Sequence, residues 1–565
     1  MMKKEYYSEL ISELKKRKNP DKDQIAKLKR KLARKHDMNR FPTDIEIFLN
    51  AEPEDIKFLK KLQTKPTRSL SGVAVVAVMT KPFKCPHGRC AICPGGPDSA
   101  FGDVPQSYTG KEPATMRAMR AGFDPYMQVF NRLEQYVVSG HVPDKVELII
   151  MGGTFPSFSK RYQDDFVKYC FKAMNDFSGL FLRKGEIDMI KFKKFFELPG
   201  EVGDPERTKK IQARLKKLKT KADLEKEQRK NEKSRIRCIG LTIETRPDYA
   251  GKKEADEMLR LGCTRVELGV QSVYDDLLDN IERGHSVKDS IDATRLLKDQ
   301  GFKINYHYML GLPESEPKKD LLGLKELFSR PEFRPDMLKI YPCMVMKGTK
   351  LYKQWKKGRF KALTTRQAAD IITEFKKHCP EYVRIMRVQR DIPTYATEAG
   401  VDRTNLRQLI QEEMKKKGIK CRCIRCREIG RMPGKGREVI RTFTYEASGG
   451  REFFISAVKG DALMGFCRMR FPSAGMRKEI TDDSALIREL HVYGETAGVG
   501  ETAVKGKIQH KGIGKRLLSE AENTAKRNGR KNIVVISGVG VRPYYRRLGY
   551  RKHGPYMVKT LKQIS

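Results

Sequence analysis

Three cysteines with the spacing Cys-x4-Cys-x2-Cys, at Cys85, Cys90 and Cys93, form the group of side chains best suited to chemistry. Thiolates this close in sequence can bind three irons of a [4Fe–4S] cluster and leave the fourth iron open to a small molecule. A structural zinc site would need a fourth ligand, and the nearby His87 lies inside the loop. The spacing therefore favours an open-iron cluster over a zinc site or unliganded thiols.

A second cysteine group has the spacing Cys-x-Cys-x2-Cys, at Cys421, Cys423 and Cys426. This pattern predicts tetrahedral structural zinc with one more ligand from elsewhere in the chain; free thiols are the alternative. His378 and Cys379 are both candidates for the fourth ligand, and the sequence leaves the choice open. Such a site would hold together a linker between two domains.

A glycine-bearing turn, Gln-x-x-Gly-x-Gly at residues 509–514, comes directly before a helical pattern. Backbone N–H groups at a helix N-terminus bind phosphate well, so this turn is a candidate phosphate site. Glu489 and His491 follow an apolar run and are candidates for acid–base work, or else polar core residues. Tyr544 and Tyr545 lie in a later turn, where a packing role is the simpler alternative.

These residues need elements to position them, and the pattern between residue 73 and about residue 393 supplies them. Apolar, β-branched runs alternate with helical patterns, which is typical of parallel βα units. The predicted strands are 73–79, 146–151, 239–244, 265–270, 303–310 and 337–341. We therefore predict an α/β fold with a partial six-stranded barrel, followed by a mixed α/β C-terminal domain.

Chemistry in such barrels lies at the C-terminal ends of the strands. The first cysteine group follows the first predicted strand, as this rule requires. Other strand ends carry further candidates, because glycine lets a ligand approach the backbone and polar side chains can orient it. They are Gly152, Gly153, Glu244, Arg246 and Gln271.

The formal net charge of +44 and a pI near 9.8 make the chain strongly basic. Such a surface attracts polyanions, so nucleic acid is the leading partner and an anionic membrane the weaker one. Basic helical patterns fill residues 1–72. A basic insertion at about 183–237 is predicted to be helical and exposed. Either segment would contact RNA or form a solvated face.

No apolar run approaches the ~20 residues of a spanning helix, and the first residues lack the apolar core of a signal peptide. Tight cysteine clusters suit metal binding in a reducing compartment better than disulfides. We therefore predict a soluble cytoplasmic protein. The predicted domains are 1–72, 73–395, a zinc-binding linker at 396–436, and 437–565.

The cysteine loop and barrel pattern resemble the radical S-adenosylmethionine (SAM) superfamily, and the C-terminal turn resembles the GCN5-related acetyltransferases. A chain with both in this order resembles the family of the Elongator catalytic subunit, in the form that acts without the other subunits. Further stretches strengthen the resemblance, at residues 93–98, 106–110, 387–393, 488–494 and 554–558.

This resemblance implies a tRNA uridine acetyltransferase that makes 5-carboxymethyluridine at the wobble position. It implies a [4Fe–4S] cluster that binds SAM, an outside electron donor, and a SAM-derived radical that takes hydrogen from the methyl group of acetyl-coenzyme A. It implies SAM contacts from the strand-end residues named above. It implies that Tyr544 and Tyr545 are catalytic candidates near the coenzyme A sulfur. It also implies that acetyl-coenzyme A is bound by Lys145, Glu489, Leu490, His491, Val492, Ile508, Gln509, His510, Gly512, Gly514 and Tyr545.

Two rival functions remain open from the sequence. One is a protein lysine acetyltransferase whose iron–sulfur cluster is structural. The other is an RNA-binding scaffold that uses iron for stability. The sequence also leaves open whether the chain forms a homodimer.

Overall fold

The computed structural model describes residues 2–17, 20–38, 40–52, 54–55, 72–200, 204–475, 477–493 and 512–562. Within these residues the chain forms a helical N-terminal segment, a parallel sheet curved into a partial barrel, and a C-terminal mixed sheet. The predicted α/β fold class is confirmed.

The N-terminal segment contains α1 (Met2–Lys16), α2 (Lys22–Lys35) and α3 (Asp44–Asn50). Asp21 and Thr43 begin α2 and α3 with capping boxes, in which the cap side chain and the third helical residue bond each other's backbone N–H. Apolar side chains at helical spacing are buried, and most Lys and Arg side chains of α2 stay exposed. The three helices join the hydrophobic core of the barrel.

The barrel region is built from the following elements: β1 (Ala74–Met79), β2 (Gly96–Ser99), β3 (Gly102–Val104), α4 (Pro113–Arg120), α5 (Pro125–Val138), β4 (Lys145–Met151), α6 (Lys160–Phe181), β5 (Leu182–Arg183), β6 (Glu186–Ile187), α7 (Met189–Phe196), α8 (Pro205–Leu218), α9 (Leu224–Lys233), β7 (Arg237–Thr245), α10 (Lys252–Leu261), β8 (Arg265–Gln271), α11 (Asp275–Asn280), α12 (Val287–Asp299), β9 (Lys303–Leu310), α13 (Pro317–Ser329), β10 (Met337–Pro342), α14 (Lys350–Lys356), α15 (Thr365–His378), β11 (Arg384–Arg387), α16 (Leu406–Lys416) and α17 (Ile424–Arg427).

The barrel sheet has the order β1-β4-β7-β8-β9-β10-β11, and every neighbouring pair is parallel. The six predicted strands are all present. The seventh, β11, escaped prediction because it is only four residues long and has arginine at both ends. Parallel pairing brings the C-terminal ends of all these strands to one edge, which we call the top of the barrel; the opposite edge is its floor.

The basic insertion is less exposed than its composition indicated. Its helix α7 buries Phe192 and Phe196 against Phe177 and Phe181 of α6, and α9 also packs along α6. The apolar side chains of α7 explain the difference, because they bury against α6 while the charged side chains of α8 face outward.

The C-terminal domain contains β12 (Glu438–Ala447), β13 (Gly450–Lys459), β14 (Ala462–Phe471), β15 (Ser484–Val492), α18 (Ile513–Arg527), β16 (Asn532–Val535), α19 (Arg542–Arg546), β17 (Arg551–His553) and β18 (Tyr556–Thr560). Its sheet has the order β12-β13-β14-β15-β16-β18-β17, in which only the β15–β16 pair is parallel. Helix α18 covers one face of this sheet and forms the second hydrophobic core.

The two sheets meet at the floor of the barrel. Arg488 of β15 donates to the carbonyl oxygen of Phe302, just before β9, and to the carboxylate of Asp336, just before β10. Arg470 of β14 bonds Asp299 at the end of α12. These contacts fix β15 directly beneath the barrel.

Among the described residues, no helix is long and apolar enough to span a bilayer.

Candidate active site

The cysteine loop leaves β1 at the top of the barrel and is held there by its backbone. The N–H of Ala91 donates to the carbonyl of Ile281, and the N–H of Leu351 donates to the carbonyl of Ala91. Cys90 and Cys93 are buried and Cys85 is half-buried, and all three line one cavity. The loop therefore presents its thiols to the interior of the barrel.

The contacts of these thiols are polar. Cys93 accepts from the N–H of Ser107 at 3.3 Å, and His87 Nε2 lies 3.1 Å from Cys90 Sγ. Burial raises the pKa of the Cys93 thiol, so a bound cation would be needed to hold it as a thiolate.

The three sulfur atoms fit a cluster better than a single zinc ion. They do not all lie within 4.8 Å of one another, whereas those of Cys421, Cys423 and Cys426 do. Zinc–sulfur bonds of about 2.3 Å hold tetrahedral thiolates roughly 3.8 Å apart. Wider spacing suits thiolates that bind separate irons, so the geometry favours the cluster interpretation of this loop.

The cavity has a volume of about 1030 Å³ and extends from the cysteine loop down into the barrel. Ordinary ligand pockets measure about 300–1,000 Å³, so this space is large enough for more than one small molecule. Gly153, Glu244, Arg246 and Gln271 all line it, which brings these predicted residues together.

Gly152 has a different role from Gly153. It adopts a φ of +115°, and a Cβ atom there would lie 2.5 Å from Thr80 Oγ1, so only glycine fits. Thr80 Oγ1 donates to the Gly152 carbonyl at 3.0 Å. Gly152 thus lets the ends of β1 and β4 pack closely beside the cavity.

The guanidinium group of Arg246 is largely engaged by the protein. It bonds both carboxylate oxygens of Asp248, at 2.8 and 2.7 Å, and donates to the carbonyls of Arg283 and Gly284 at 2.8 Å. These bonds use four of its five N–H groups. Arg246 therefore positions the loops around the cavity and keeps one N–H for a ligand.

Sequence reasoning missed a buried ionic cluster in the middle of the cavity. The carboxylate of Glu267 accepts from His307 Nε2 at 2.8 Å and pairs with the ammonium group of Lys339, which also lies 3.6 Å from Glu244. Burial works against the ionised carboxyl, but Lys339 and His307 lower the pKa of Glu267 well below its usual range. Burial and then Lys339 lower the pKa of His307, which stays a neutral donor.

A signal for this cluster was present in the strand sequences. Side chains alternate between the two faces of a strand, and β8, β9 and β10 carry polar or charged residues at alternate positions facing inward. The inward set lining the cavity includes Glu267, His307, Lys339 and Tyr341.

The C-terminal site begins at Gly512, which adopts a φ of +72° as the N-cap of α18. A Cβ atom at Gly514 would lie 3.4 Å from the hydroxyl of Tyr544, so this tyrosine adjoins the turn. Tyr545 is buried in the second core, where its ring packs edge-on against Tyr550. The predicted residues Ile508, Gln509 and His510 lie outside the described residues.

From Glu489 to Val492, strand β15 sends alternate side chains to opposite faces; a register shift opposite Arg468 and Met469 lets Arg488 and Glu489 both face the barrel. Leu490 and Val492 pack towards the second core beneath α18, whereas Glu489 and His491 face the floor of the barrel. Arg468 donates to Glu489 at 2.9 Å. Burial raises the pKa of Glu489, but Lys303 and Arg468 lower it by more, so the pKa lies below its usual value. Burial lowers the pKa of His491, so it is the better placed of the two to act as a neutral base.

Lys145 is the first residue of β4 and therefore lies at the floor edge of the sheet, the same edge that Lys303 and Arg384 occupy. Its side chain is half-buried. The predicted coenzyme contacts of Lys145, Glu489 and His491 thus come from one end of the barrel, opposite the cysteine loop.

The second cysteine group forms a compact site. Its three sulfur atoms lie within 4.8 Å of one another, and buried Lys376 donates to Cys421 at 3.4 Å and to Cys426 at 3.6 Å. Contacts with Cys379 and then Cys421 lower the pKa of the Cys423 thiol. The side chain of His378 is 48% exposed and faces Glu374. Of the two candidate fourth ligands, Cys379 is the one that contacts these thiols, at Cys421 and Cys423, although its sulfur does not lie within 4.8 Å of all three.

Comparison with known proteins accounts for most of the chain. Family models match at residues 3–70 (ELP3 N-terminal domain), 82–322 (Radical SAM superfamily), 335–416 (Radical SAM C-terminal domain) and 441–560 (acetyltransferase, GNAT, domain).

Relatives match over nearly the whole length. The chain is 45% identical to the tRNA uridine(34) acetyltransferase of Methanocaldococcus jannaschii, covering 98% of this chain and 97% of that protein. It is 41% identical to Elongator complex protein 3 of Schizosaccharomyces pombe, covering 98% and 97%. The solved structure of Methanocaldococcus infernus Elp3, lacking residues 1–46, aligns with a TM-score of 0.70 and 41% identity, over 87% of this chain and 100% of that one. These matches and the two joined sites show that the chain belongs to the Elongator complex protein 3 family, enzymes that combine a radical SAM domain with a GNAT acetyltransferase domain.

Proposed function

We propose that this chain modifies the wobble uridine of tRNA to 5-carboxymethyluridine, using acetyl-coenzyme A and SAM. The observation that carries the proposal is the position of β15. Its Glu489 and His491 face the floor of the barrel whose top bears the cysteine loop, so a thioester and a cluster would lie at opposite ends of one barrel. The relatives named tRNA uridine(34) acetyltransferase support the choice of substrate.

Cys85, Cys90 and Cys93 would hold the [4Fe–4S] cluster, and the cluster with SAM supplies radical chemistry when bound. Gly153, Glu244 and Gln271 would line the SAM side of the cavity. The protein would exclude water and orient the reactants. The turn at Gly512 and Gly514 would bind the coenzyme pyrophosphate, with Lys145 and His491 near the thioester. An outside donor would supply the electron.

The net charge of +44 supports a polyanionic partner such as tRNA. A protein lysine acetyltransferase is the alternative outcome. Glu489 and His491 are half-buried and face the barrel floor, and this orientation towards the barrel supports the tRNA reaction over peptide acetylation. Cys379, Cys421, Cys423 and Cys426 would bind a structural zinc ion. We propose that the single chain acts without other Elongator subunits.

The test is an anaerobic incubation of reconstituted protein with SAM, dithionite, acetyl-coenzyme A and an unmodified tRNA transcript, followed by nucleoside mass spectrometry. We expect carboxymethyluridine from the wild type and none from Cys90→Ala. Cys263→Ser is the matched control, because this buried thiol donates to the carbonyl of Arg265 and serine keeps that bond. Acetylation of a basic peptide that survives in Cys90→Ala, without any modified uridine, would overturn the proposal.

A further inference from the structure

The lower part of the barrel interior is polar, although the floor of such a barrel ordinarily serves stability. Four inward-facing residues form what we call the floor layer, namely Glu147 of β4, Arg265 and Glu267 of β8, and Asn305 of β9. Arg265 and Glu147 form a salt bridge, and Asn305 lies opposite Glu267 in the strand register. Arg265, Glu267 and Asn305 are each at most 3% exposed.

Many polar atoms of this layer have no hydrogen-bond partner in the described part of the chain. They are Arg265 Nε and Nη2, Glu267 Oε1, and both amide atoms of Asn305, of which Arg265 Nε and Glu267 Oε1 face each other as an ion pair at 3.5 Å. Folded proteins leave few buried polar atoms unpaired, because each costs free energy. Several in one layer therefore indicate a ligand that the layer is built to meet.

Arg265 is held more loosely than the other buried arginines nearby. Arg488 donates to Phe302, Asp336 and Glu452, and Arg470 bonds Asp299, Glu452 and two carbonyl groups. The guanidinium of Arg265 has its close salt bridge to Glu147 and a 3.5 Å approach to Glu267. The Arg265 side chain can therefore change rotamer while losing fewer hydrogen bonds than Arg488 or Arg470 would lose.

The floor layer separates the two parts of the site. On its upper side, Glu147, Arg265 and Glu267 of the layer line the cavity that reaches the cysteine loop. Below it lies β15. Burial lowers the pKa of Arg265, but Glu147, Glu267 and then Glu489 of β15 raise it, so Glu489 lies close to this guanidinium. At about 3.3 Å per residue, β8 rises roughly 20 Å from Arg265 in the floor layer to Gln271 at the top of the barrel. This length is the distance between the two parts of the site along the strand.

We propose that the floor layer is a passage through which the acyl end of a coenzyme A thioester, held by the C-terminal domain, enters the barrel cavity. Arg265 is its movable element, and the amide of Asn305 lines it. The free N–H groups of both side chains match the carbonyl oxygen of a thioester. This inference rests on the proposed function, since it assumes that acetyl-coenzyme A binds at β15.

The direct test is photolabelling of the full-length, cluster-free chain with an acyl-coenzyme A whose acyl group carries a diazirine. Labelled residues are located by tandem mass spectrometry. In the wild type we expect labels both below the floor, at Lys303 or Tyr493, and above it, at His307 or Tyr341. Asn305→Leu should reduce the upper labels at least tenfold and keep the lower ones.

Two further variants keep this test decisive. Glu147→Gln weakens the hold on Arg265 and should raise the upper labelling at least twofold. Thr373→Val on α15 is the matched control, because Thr373 Oγ1 is also buried without a partner in the described chain, away from the barrel interior. It should label as the wild type does. Asn305→Leu should also melt no lower than the wild type, since leucine replaces an unpaired amide.

The same variants separate this inference from the proposed function. If the wild type forms carboxymethyluridine, Asn305→Leu should lower its yield at least tenfold and Thr373→Val should not. If the wild type forms none, the proposed function fails, and labelling still decides whether a passage exists. Upper labels that are absent in the wild type, or unchanged in Asn305→Leu, would overturn the passage.

Discussion

Arg488 and Asp336 form a two-pronged ion pair across the boundary between the two domains. Nη1 lies 2.8 Å from Oδ2 and Nη2 lies 2.6 Å from Oδ1, and both side chains are fully buried. Arg488 also bonds Glu452, which faces Arg470. Because Arg488 is adjacent to Glu489, this pair fixes the height at which the acetyltransferase strand meets the barrel floor.

Asp336→Asn should destabilise the whole chain. Removing one partner of a buried ion pair leaves the other charge uncompensated, which costs about 3–5 kcal/mol. Urea unfolding followed by circular dichroism should show this loss in a transition shared by both domains. Asp292→Asn is the control, since its i,i+4 pair with Lys288 is exposed and contributes little. A normal unfolding midpoint for Asp336→Asn would show that the ion pair does not hold the domains together.

Zinc content should distinguish Cys379 from its neighbour His378. Cys379→Ser removes a thiol that contacts Cys421 and Cys423, so the bound zinc should fall well below one ion per chain. His378→Ala removes an imidazole facing Glu374 and should leave zinc unchanged. Elemental analysis of both purified variants, with chelator release rates, is the measurement. Equal zinc in the two variants would exclude Cys379 as a ligand.

The choice between these two residues also shows where sequence reasoning ends. The cysteine loops and the Gly512 turn are short-range features, so spacing alone revealed them. His378 and Cys379 are adjacent at the end of α15, and only the course of the helix decides which one faces the thiols. The Glu267–His307–Lys339 cluster joins three strands, so its pairing depends on sheet register. Arg246 was predicted as a ligand contact. Its bonds to the carbonyls of Arg283 and Gly284 were missed because those residues are far away in sequence.

Stability should depend on pH through His285. This side chain is 7% exposed, and burial, then Arg283 and Arg246, lower its pKa to about 2. Its pKa in the unfolded chain is about 6.5. Between these values the unfolded state binds the extra proton, so stability is present above pH ~6.5 and falls as the pH drops, by at most about 1.4 kcal/mol per unit. His285→Leu should flatten this decline between pH 6.5 and 5 in urea unfolding.

Exposed His553 provides the comparison, because its side chain already lies in water in the folded chain. His553→Leu should leave the acid limb of the stability profile as in the wild type. If His285→Leu loses stability with the same slope as the wild type, then His285 is not the group responsible.

Tyr395 should contribute to tRNA binding by stacking on a base. Its ring is 77% exposed, and Tyr395 lines the same barrel cavity as Arg390 and Gln389. An exposed aromatic ring in a basic setting is a stacking platform, and each stacked base contributes about 1–3 kcal/mol. Tyr395→Ala should therefore weaken binding of an anticodon stem-loop by about 5- to 150-fold, measured by fluorescence anisotropy at fixed salt.

Tyr395→Phe keeps the ring and should bind within about twofold of the wild type. Ile190→Ala, a change at another exposed apolar side chain far along the insertion, should have no effect. Equal losses in the phenylalanine and alanine variants would assign the contribution to the hydroxyl group and contradict stacking.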